Sequence, residues 1–137
     1  LQDLLGLLAG SRVDYTIFFR ELGTFATVDG AANERLREQF LNRERFDAWA
    51  LRYRERLLAE GSRDEERRTR MDRVNPLYVL RNYLAQTAIE KAQQKDYSEI
   101  DRLLQLLQDP FTERPGMRSY AAAPPNWGKH IAVSCSS

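Results

Sequence analysis

The sequence predicts an all-α protein: an irregular bundle of about five to seven helices, followed by an extended strap rich in proline and aromatic residues. Apolar residues recur at helical spacings of three and four, and helix-start and helix-stop residues separate these stretches. No β-hairpin signal is evident in the 137 residues. We therefore expect a helical domain at residues 1–109 and a strap at 110–137 that ends in a cysteine-containing tail.

The first third of the chain predicts three helical segments. Closely spaced leucines open the chain within a helix. Ser11, with Asp14 three residues later, matches a loosened capping box for the next helix, and Gly23 is a stop signal. After a loop through Gly30, a further helix is expected from about Asn33 to Leu41.

Two more segments follow, one apolar on one face and one highly charged. The first has its apolar face at helical spacing and ends at Gly61; the face comprises Phe46, Trp49, Ala50, Tyr53 and Leu57. Ser62 and Glu65 then form a capping box for a charged helix that reaches Arg73.

The segment from residue 75 to 94 is predicted to be the central, most buried helix. Asn75 would cap it and Pro76 would occupy its first position. Two adjacent apolar stripes leave little polar face between Leu80 and Ile89. Asn82 falls within one stripe, where a partly buried amide needs a hydrogen-bond partner.

The remaining segments are one more helix and the strap. Ser98 and Asp101 open the helix, which has leucines and isoleucine along one side. From Pro110 onward, recurring prolines rule out long helices. The strap nevertheless keeps large aromatic residues, so we expect Trp127 to dock on the helical body and the last four residues to stay free.

Composition excludes several classes of protein. The net charge of +1 exerts no overall attraction for nucleic acid or anionic membranes, so neither is expected as a partner. No apolar run approaches a membrane span and no signal peptide is visible. With a single cysteine the chain cannot form an internal disulfide, which favours the bacterial cytoplasm, although a mitochondrial matrix protein would look the same. Because the chain begins at Leu1 within a helix, we expect a fragment of a longer protein; a trimmed terminus is the alternative.

The chain offers no catalytic, cofactor-binding or metal-binding residue by pattern. One histidine and one cysteine, His130 and Cys135, do not supply a zinc site and are poorly placed as a nucleophilic pair. Neither a P-loop nor a dinucleotide-binding glycine motif is present, so the phosphate-cradling backbone is missing.

An arginine-rich face in the charged segment has two interpretations. Arg63, Arg67 and Arg70 share a helical face that could bind phosphate or RNA. Acidic residues interleave with them at pairing distances, and no aromatic residue is present to stack on bases. The pattern favours a solvated helix.

The chain resembles the C-terminal region of the selenoprotein O (YdiU) family. The motifs that carry this resemblance are Asn-Pro-Leu-Tyr-Val-Leu-Arg-Asn-Tyr-Leu-Ala-Gln at 75–86, Pro-Pro-Asn-Trp-Gly-Lys at 124–129 and Ser-Cys-Ser-Ser at 134–137, with Val-Asp-Tyr-Thr at 13–16 and Phe-Phe-Arg at 18–20. The resemblance implies a kinase-like protein that transfers AMP or UMP from a nucleotide to protein hydroxyl groups with Mg or Mn. Its nucleotide-binding and metal-binding residues belong to an upstream region and match no position here.

The resemblance carries one residue over. Cys135 matches the position of the selenocysteine or cysteine in the family's C-terminal tail, which makes it a redox candidate. The implied partners are the upstream kinase-like region of the same protein and client proteins. The alternative is a self-contained helical interaction module without enzymatic activity.

Overall fold

The computed structural model of the chain describes residues 1–133. These residues form seven α-helices and two short 3-10 helices and contain no strand, which confirms the all-α prediction. The α-helices are α1 (Gln2–Gly10), α2 (Tyr15–Leu22), α3 (Glu34–Arg37), α4 (Arg43–Ala59), α5 (Asp64–Asp72), α6 (Asn82–Gln93) and α7 (Ser98–Gln108). The 3-10 helices are Arg118–Ala121 and Asn126–Gly128.

The chain divides into two compact units, Leu1–Asn75 and Pro76–Ser137. Unit 1 holds α1 to α5, and unit 2 holds α6, α7 and the strap. The predicted boundary at residue 110 rests on a change in composition, and it lies just after the last α-helix, α7. The two compact units are instead distinguished by how the chain packs. The predicted division into 1–109 and 110–137 therefore stays a prediction.

An aromatic cluster fills the core of unit 1. Phe18 and Phe46 are fully buried, and the ring of Trp49, a residue of α4, contacts both of them. The ring of Phe40 packs edge-on against Phe18 at 5.6 Å and stacks on Phe46 at 4.9 Å. Such pairs add to the free energy gained by burying apolar area, so the aromatic residues of α2 and α4 hold the unit together.

The start of α2 differs from the predicted capping box. Asp14, not Ser11, is the N-cap residue, and its Oδ1 accepts a hydrogen bond of 3.0 Å from the Ile17 amide. Ser11 instead follows the end of α1, where its Oγ accepts from the Leu41 amide at 3.1 Å. The Ser11 prediction was wrong because its hydroxyl is used by a residue thirty positions away.

The predicted helix start at Asn75 and Pro76 is also wrong. The Asn75 amide donates to the Met71 carbonyl at the end of α5, and α6 begins only at Asn82. The amides of Leu77 and Tyr78 both donate to the Pro110 carbonyl, at 2.8 and 3.2 Å. The strap thus supplies the acceptor for both amides, and residues 76–81 lie outside any helix.

Consequently, α6 is not the most buried element. Leu80 lies outside the helix and is 55% exposed, and Ile89 is also exposed. Tyr83 and Ala88 are the buried residues of α6, which packs against α7. Asn82 is exposed rather than partly buried, yet its amide does donate to the Ile131 carbonyl at 3.0 Å.

The strap packs against the rest of unit 2 through hydrogen bonds and through one glycine. Tyr78 is buried, and its hydroxyl accepts from the Arg114 amide at 3.0 Å. Gly128 is buried against Tyr83. The expected docking of Trp127 was wrong: its side chain is 64% exposed and only meets Tyr83 edge-on at 5.6 Å between ring centres.

Candidate functional site

Of the three arginines that share the candidate anion-binding face, Arg67 is buried within unit 1. Arg67 is 3% exposed and donates to the Phe25 carbonyl, to Ser62 Oγ at 3.1 Å and to Asp64 Oδ1 at 2.9 Å. Ser62 Oγ thus accepts a hydrogen bond from Arg67. The N-cap position of α5 is occupied by Arg63, whose side chain makes no capping hydrogen bond. The predicted Ser62 capping box was wrong, and Arg67 does not lie on an exposed binding face.

Asp64 anchors the same loop from the other side. Its Oδ2 accepts from the Thr27 amide at 2.9 Å, and its Oδ1 accepts from the Thr27 hydroxyl at 2.7 Å. Arg54 Nε donates to the Thr27 carbonyl at 2.8 Å. Partial burial by itself raises the pKa of Asp64, but the bonds from Thr27 and Arg67 outweigh it and lower that pKa. These bonds fix the loop at residues 25–27, and the guanidinium of Arg67 faces its internal partners rather than solvent.

The other arginines of α5 behave as a solvated helix. Arg63 and Arg70 are exposed, and Arg63 pairs with Glu66 at 3.1 Å. Arg68 is also exposed and lies 3.8 Å from Asp72. Exposed pairs of this kind contribute little to stability and offer no preorganised site.

A shallow cavity of about 400 Å³ borders the anchored loop, between residues 28–34 and α4. Four of its charged side chains form two ion pairs. Arg37 forms a two-bond pair with Asp47 at 2.8 and 3.0 Å, and Arg54 lies 3.4 Å from Asp29. The bond to Asp47 raises the pKa of Arg37, so this guanidinium stays charged. Nothing in the cavity lining points to a particular ligand.

The second polar cluster joins α7 to the strap in unit 2. Glu99 accepts from Arg102, from the Tyr120 hydroxyl at 2.8 Å and from Lys91 Nζ at 3.5 Å. Arg102 also donates to the Tyr120 oxygen at 3.1 Å. Partial burial by itself raises the pKa of Glu99, but the bond from Tyr120 and the charges of Arg102 and Lys91 outweigh it and lower that pKa. The cluster ties the 3-10 turn at Arg118–Ala121 to α7.

Sequence reasoning missed both clusters, although a signal existed for each. Glu99 lies four and seven residues before Leu103 and Leu106, so it falls on the buried face of α7. Arg67 lies four residues before the half-buried Met71 on α5. A charged residue on an apolar face predicts a buried side chain that needs polar partners. The partners here, the Phe25 carbonyl and the Tyr120 hydroxyl, are too distant in sequence to be inferred.

Within residues 1–133, no three side chains among His, Cys, Asp and Glu lie close enough to hold a metal ion. Cys135, the redox candidate, lies outside the described residues. In the part of the chain that the structure describes, no helix is long and apolar enough to span a bilayer. The cytoplasmic location stays a prediction.

Comparison with known proteins gives a consistent family match. A family model described as protein adenylyltransferase SelO matches residues 1–108. The protein nucleotidyltransferase YdiU of Myxococcus xanthus is 58% identical over 137 residues, which are 100% of this chain and 28% of that protein. The same-named protein of Pseudomonas fluorescens is 54% identical over 138 residues, with 100% of this chain and 28% of that protein covered. That of Thioalkalivibrio sulfidiphilus is 58% identical over 137 residues, with 100% and 27% covered.

The chain therefore spans little more than a quarter of the length of these relatives. It corresponds to a C-terminal region of such a protein.

Proposed function

Because the chain belongs to the protein adenylyltransferase SelO family, we propose that it is the C-terminal helical region of a protein nucleotidyltransferase. The whole protein would transfer AMP or UMP from a nucleotide to hydroxyl groups of client proteins. The observation that carries the proposal is the match, along the whole of this chain, to proteins named protein nucleotidyltransferase. This chain would contribute structure and lack the catalytic residues itself.

ATP and Mg or Mn would bind in the upstream, kinase-like region of the same protein. The charged side chains of this chain support that division of labour. Arg67 and Glu99 are buried among internal partners, and Arg37 is paired with Asp47. Phosphoryl-type transfer needs metal ions and cations that are free to meet the phosphates.

A transfer assay tests this division. The full-length protein and the isolated chain are each incubated with ATP or UTP labelled at the α-phosphate, with Mg or Mn and an acceptor protein. We expect label on the acceptor with the full-length protein and none with the isolated chain. Label that follows the purified chain would contradict the proposal, and so would a full-length protein that transfers neither AMP nor UMP.

We also propose a redox role for Cys135 in the full-length protein. Its thiolate would attack a disulfide sulfur, form a mixed disulfide and release the other sulfur as a thiolate. Incubation with oxidised glutathione, followed by mass spectrometry, tests this against a Cys135→Ser control. An unmodified Cys135 in the folded protein would contradict the role.

The alternative function is a self-contained helical interaction module. Several large apolar side chains are exposed, among them Leu104 and Trp127, as on a protein-binding surface. The length of the native open reading frame separates the two proposals. A reading frame of several hundred residues with kinase-like motifs upstream supports the transferase, whereas a short native protein supports the module.

A further inference from the structure

Asp29 and Gly30 form the one Asp-Gly pair in the sequence, and they lie at the tip of an exposed turn between α2 and α3. The Ala31 amide donates to the Val28 carbonyl at 3.2 Å and closes the turn around the pair. Gly30 has a φ of +78°, which glycine adopts without strain. Because residues 28–30 are all exposed, both members of the pair are in contact with solvent.

The nucleophile and the electrophile of an intramolecular cyclisation are covalent neighbours in this turn. The side chain of Asp29 is 97% exposed, and the Gly30 amide donates to no acceptor within residues 1–133. Glycine has no β-carbon to crowd its nitrogen, and a β-carbon built at Gly30 would meet no atom within 4 Å. The Gly30 nitrogen can therefore approach the carboxyl carbon of Asp29 without displacing another part of the protein.

We propose that Asp29 is a site of spontaneous conversion to isoaspartate. The Gly30 nitrogen attacks the side-chain carboxyl carbon of Asp29 and forms a C–N bond, while the carboxyl hydroxyl leaves with the amide proton as water. Water then opens the resulting succinimide ring. Attack at the former side-chain carbonyl restores aspartate, whereas attack at the main-chain carbonyl leaves Asp29 linked to Gly30 through its β-carboxyl. The net change is a rearrangement without loss of mass, and it needs no oxidant or cofactor.

The other aspartates and asparagines of the chain lack this combination of features. Each of them is followed by a residue that has a β-carbon. Asp96 is the most similar, because it is exposed and lies between helices. Tyr97 follows it, however, and its Oδ1 accepts from the Ser98 amide at 3.0 Å. Asp96 therefore serves as an internal reference for the reactivity of Asp29.

The contact with Arg54 does not hold the Asp29 carboxylate away from Gly30. Arg54 Nη2 lies 3.4 Å from Asp29 Oδ1, but an ion pair with so exposed a carboxylate is weak and easily broken. Arg54 also keeps a second partner, since its Nε donates to the Thr27 carbonyl at 2.8 Å. The Asp29 side chain can thus turn towards the Gly30 nitrogen without releasing Arg54 from the loop.

The two ends of the loop confine the change. The Thr27 amide donates to Asp64 at 2.9 Å, and the Ala26 amide donates to Asn33 Oδ1 at 2.7 Å. Isoaspartate lengthens the main chain by one carbon and shortens the carboxylate side chain by one carbon. Because the ends are anchored, the extra atom is accommodated within residues 28–32, which border the shallow cavity of unit 1. The modification alters that border and leaves the aromatic core in place.

Incubation of the folded full-length protein in water labelled with heavy oxygen tests the site. Each opening of the ring places one heavy oxygen on residue 29, including the openings that restore aspartate. Peptide mass spectrometry with backbone fragmentation locates the label and separates isoaspartate from aspartate. We expect label at Asp29 to accumulate at least about tenfold faster than at Asp96 in the same digest, with isoaspartate present at position 29.

Gly30→Asn is the matched variant. Asparagine tolerates a positive φ, and the space around Gly30 accepts a β-carbon, so the turn is kept while the attacking nitrogen becomes crowded. Labelling at residue 29 should fall at least about threefold in this variant. The proposal is overturned by an absence of label at Asp29, by equal rates at Asp29 and Asp96, or by equal rates at Asp29 in the wild type and in Gly30→Asn. The comparison with Asp96 uses the wild type alone, so it decides the matter even if the variant does not fold.

Discussion

Gly128 lies so close to Tyr83 that a β-carbon on the glycine would stand 2.8 Å from Tyr83 Cβ and 3.0 Å from its Cγ. The two residues come from the two motifs that carried the family resemblance, at 75–86 and 124–129. The contact gives a physical reason for glycine at this position. The 3-10 turn at Asn126–Gly128 can approach α6 only where there is no side chain.

We predict that Gly128→Ala destabilises the fold by about 1–3 kcal/mol, the usual cost of overpacking. The clashing atoms are at the base of the Tyr83 side chain, so they cannot rotate away. Urea denaturation of the chain measures the loss. Gly6→Ala is the matched control, because a β-carbon there meets no atom within 4 Å and lies within α1. It should stabilise by roughly 0.5–1 kcal/mol, and an equal loss in both variants would refute the close-contact explanation.

Arg67→Met should cost about 1–3 kcal/mol, because it removes the donor to the buried Phe25 carbonyl while keeping an unbranched stem. Arg70→Met, on the exposed side of the same helix, should change the free energy of unfolding by less than about 0.5 kcal/mol. Chemical denaturation measures the free energy of unfolding of both variants. If the two losses were equal, Arg67 would not anchor the loop at residues 25–27.

Glu99→Gln should weaken the fold in a pH-dependent way. Since folding lowers the pKa of Glu99, its charge contributes stability above the unfolded pKa of about 4.3, and this is lost as the pH falls through the lowered folded pKa. We expect a difference of about 1–2 kcal/mol between wild type and variant near pH 7, moderated by the partly exposed Arg102 and Lys91. Denaturation from pH 7 down to pH 2 measures it.

The expected difference should shrink at the acid end of that series. The exposed Glu55→Gln is the control and should change stability by less than about 0.5 kcal/mol at pH 7. A Glu99→Gln difference that stays constant from pH 7 to pH 2 would show that the carboxylate charge is not the source of the effect.

Phe18→Ala should cost about 3–5 kcal/mol, because the ring is fully buried among three other aromatic side chains and its loss leaves a cavity. Leu51→Ala in the same unit should cost far less, since that side chain is half exposed. Thermal or urea unfolding of unit 1 provides the comparison. Similar losses for the two variants would place the core elsewhere.

The sequence by itself determined the all-α class, the family and most helix positions. The spacing of Phe46, Trp49 and Leu57 located the buried face of α4, and Gly23 and Gly61 fall just after the helices they were expected to end. These features are local, because helical periodicity and chain-breaking residues act within a few positions. The family followed from motifs that can be read without any structure.

Only the tertiary structure decided where polar groups find their partners. The helix start that Asn75 and Pro76 predicted locally does not form, and α6 begins at Asn82. The Asn75 amide bonds back to Met71, and the amides of Leu77 and Tyr78 bond to the distant Pro110 carbonyl. Arg67 is buried because the Phe25 carbonyl accepts from it across 42 positions of sequence. The sequence shows which residues carry donors and acceptors. How distant residues pair, and therefore which charged groups are buried, depends on how the helices and loops pack.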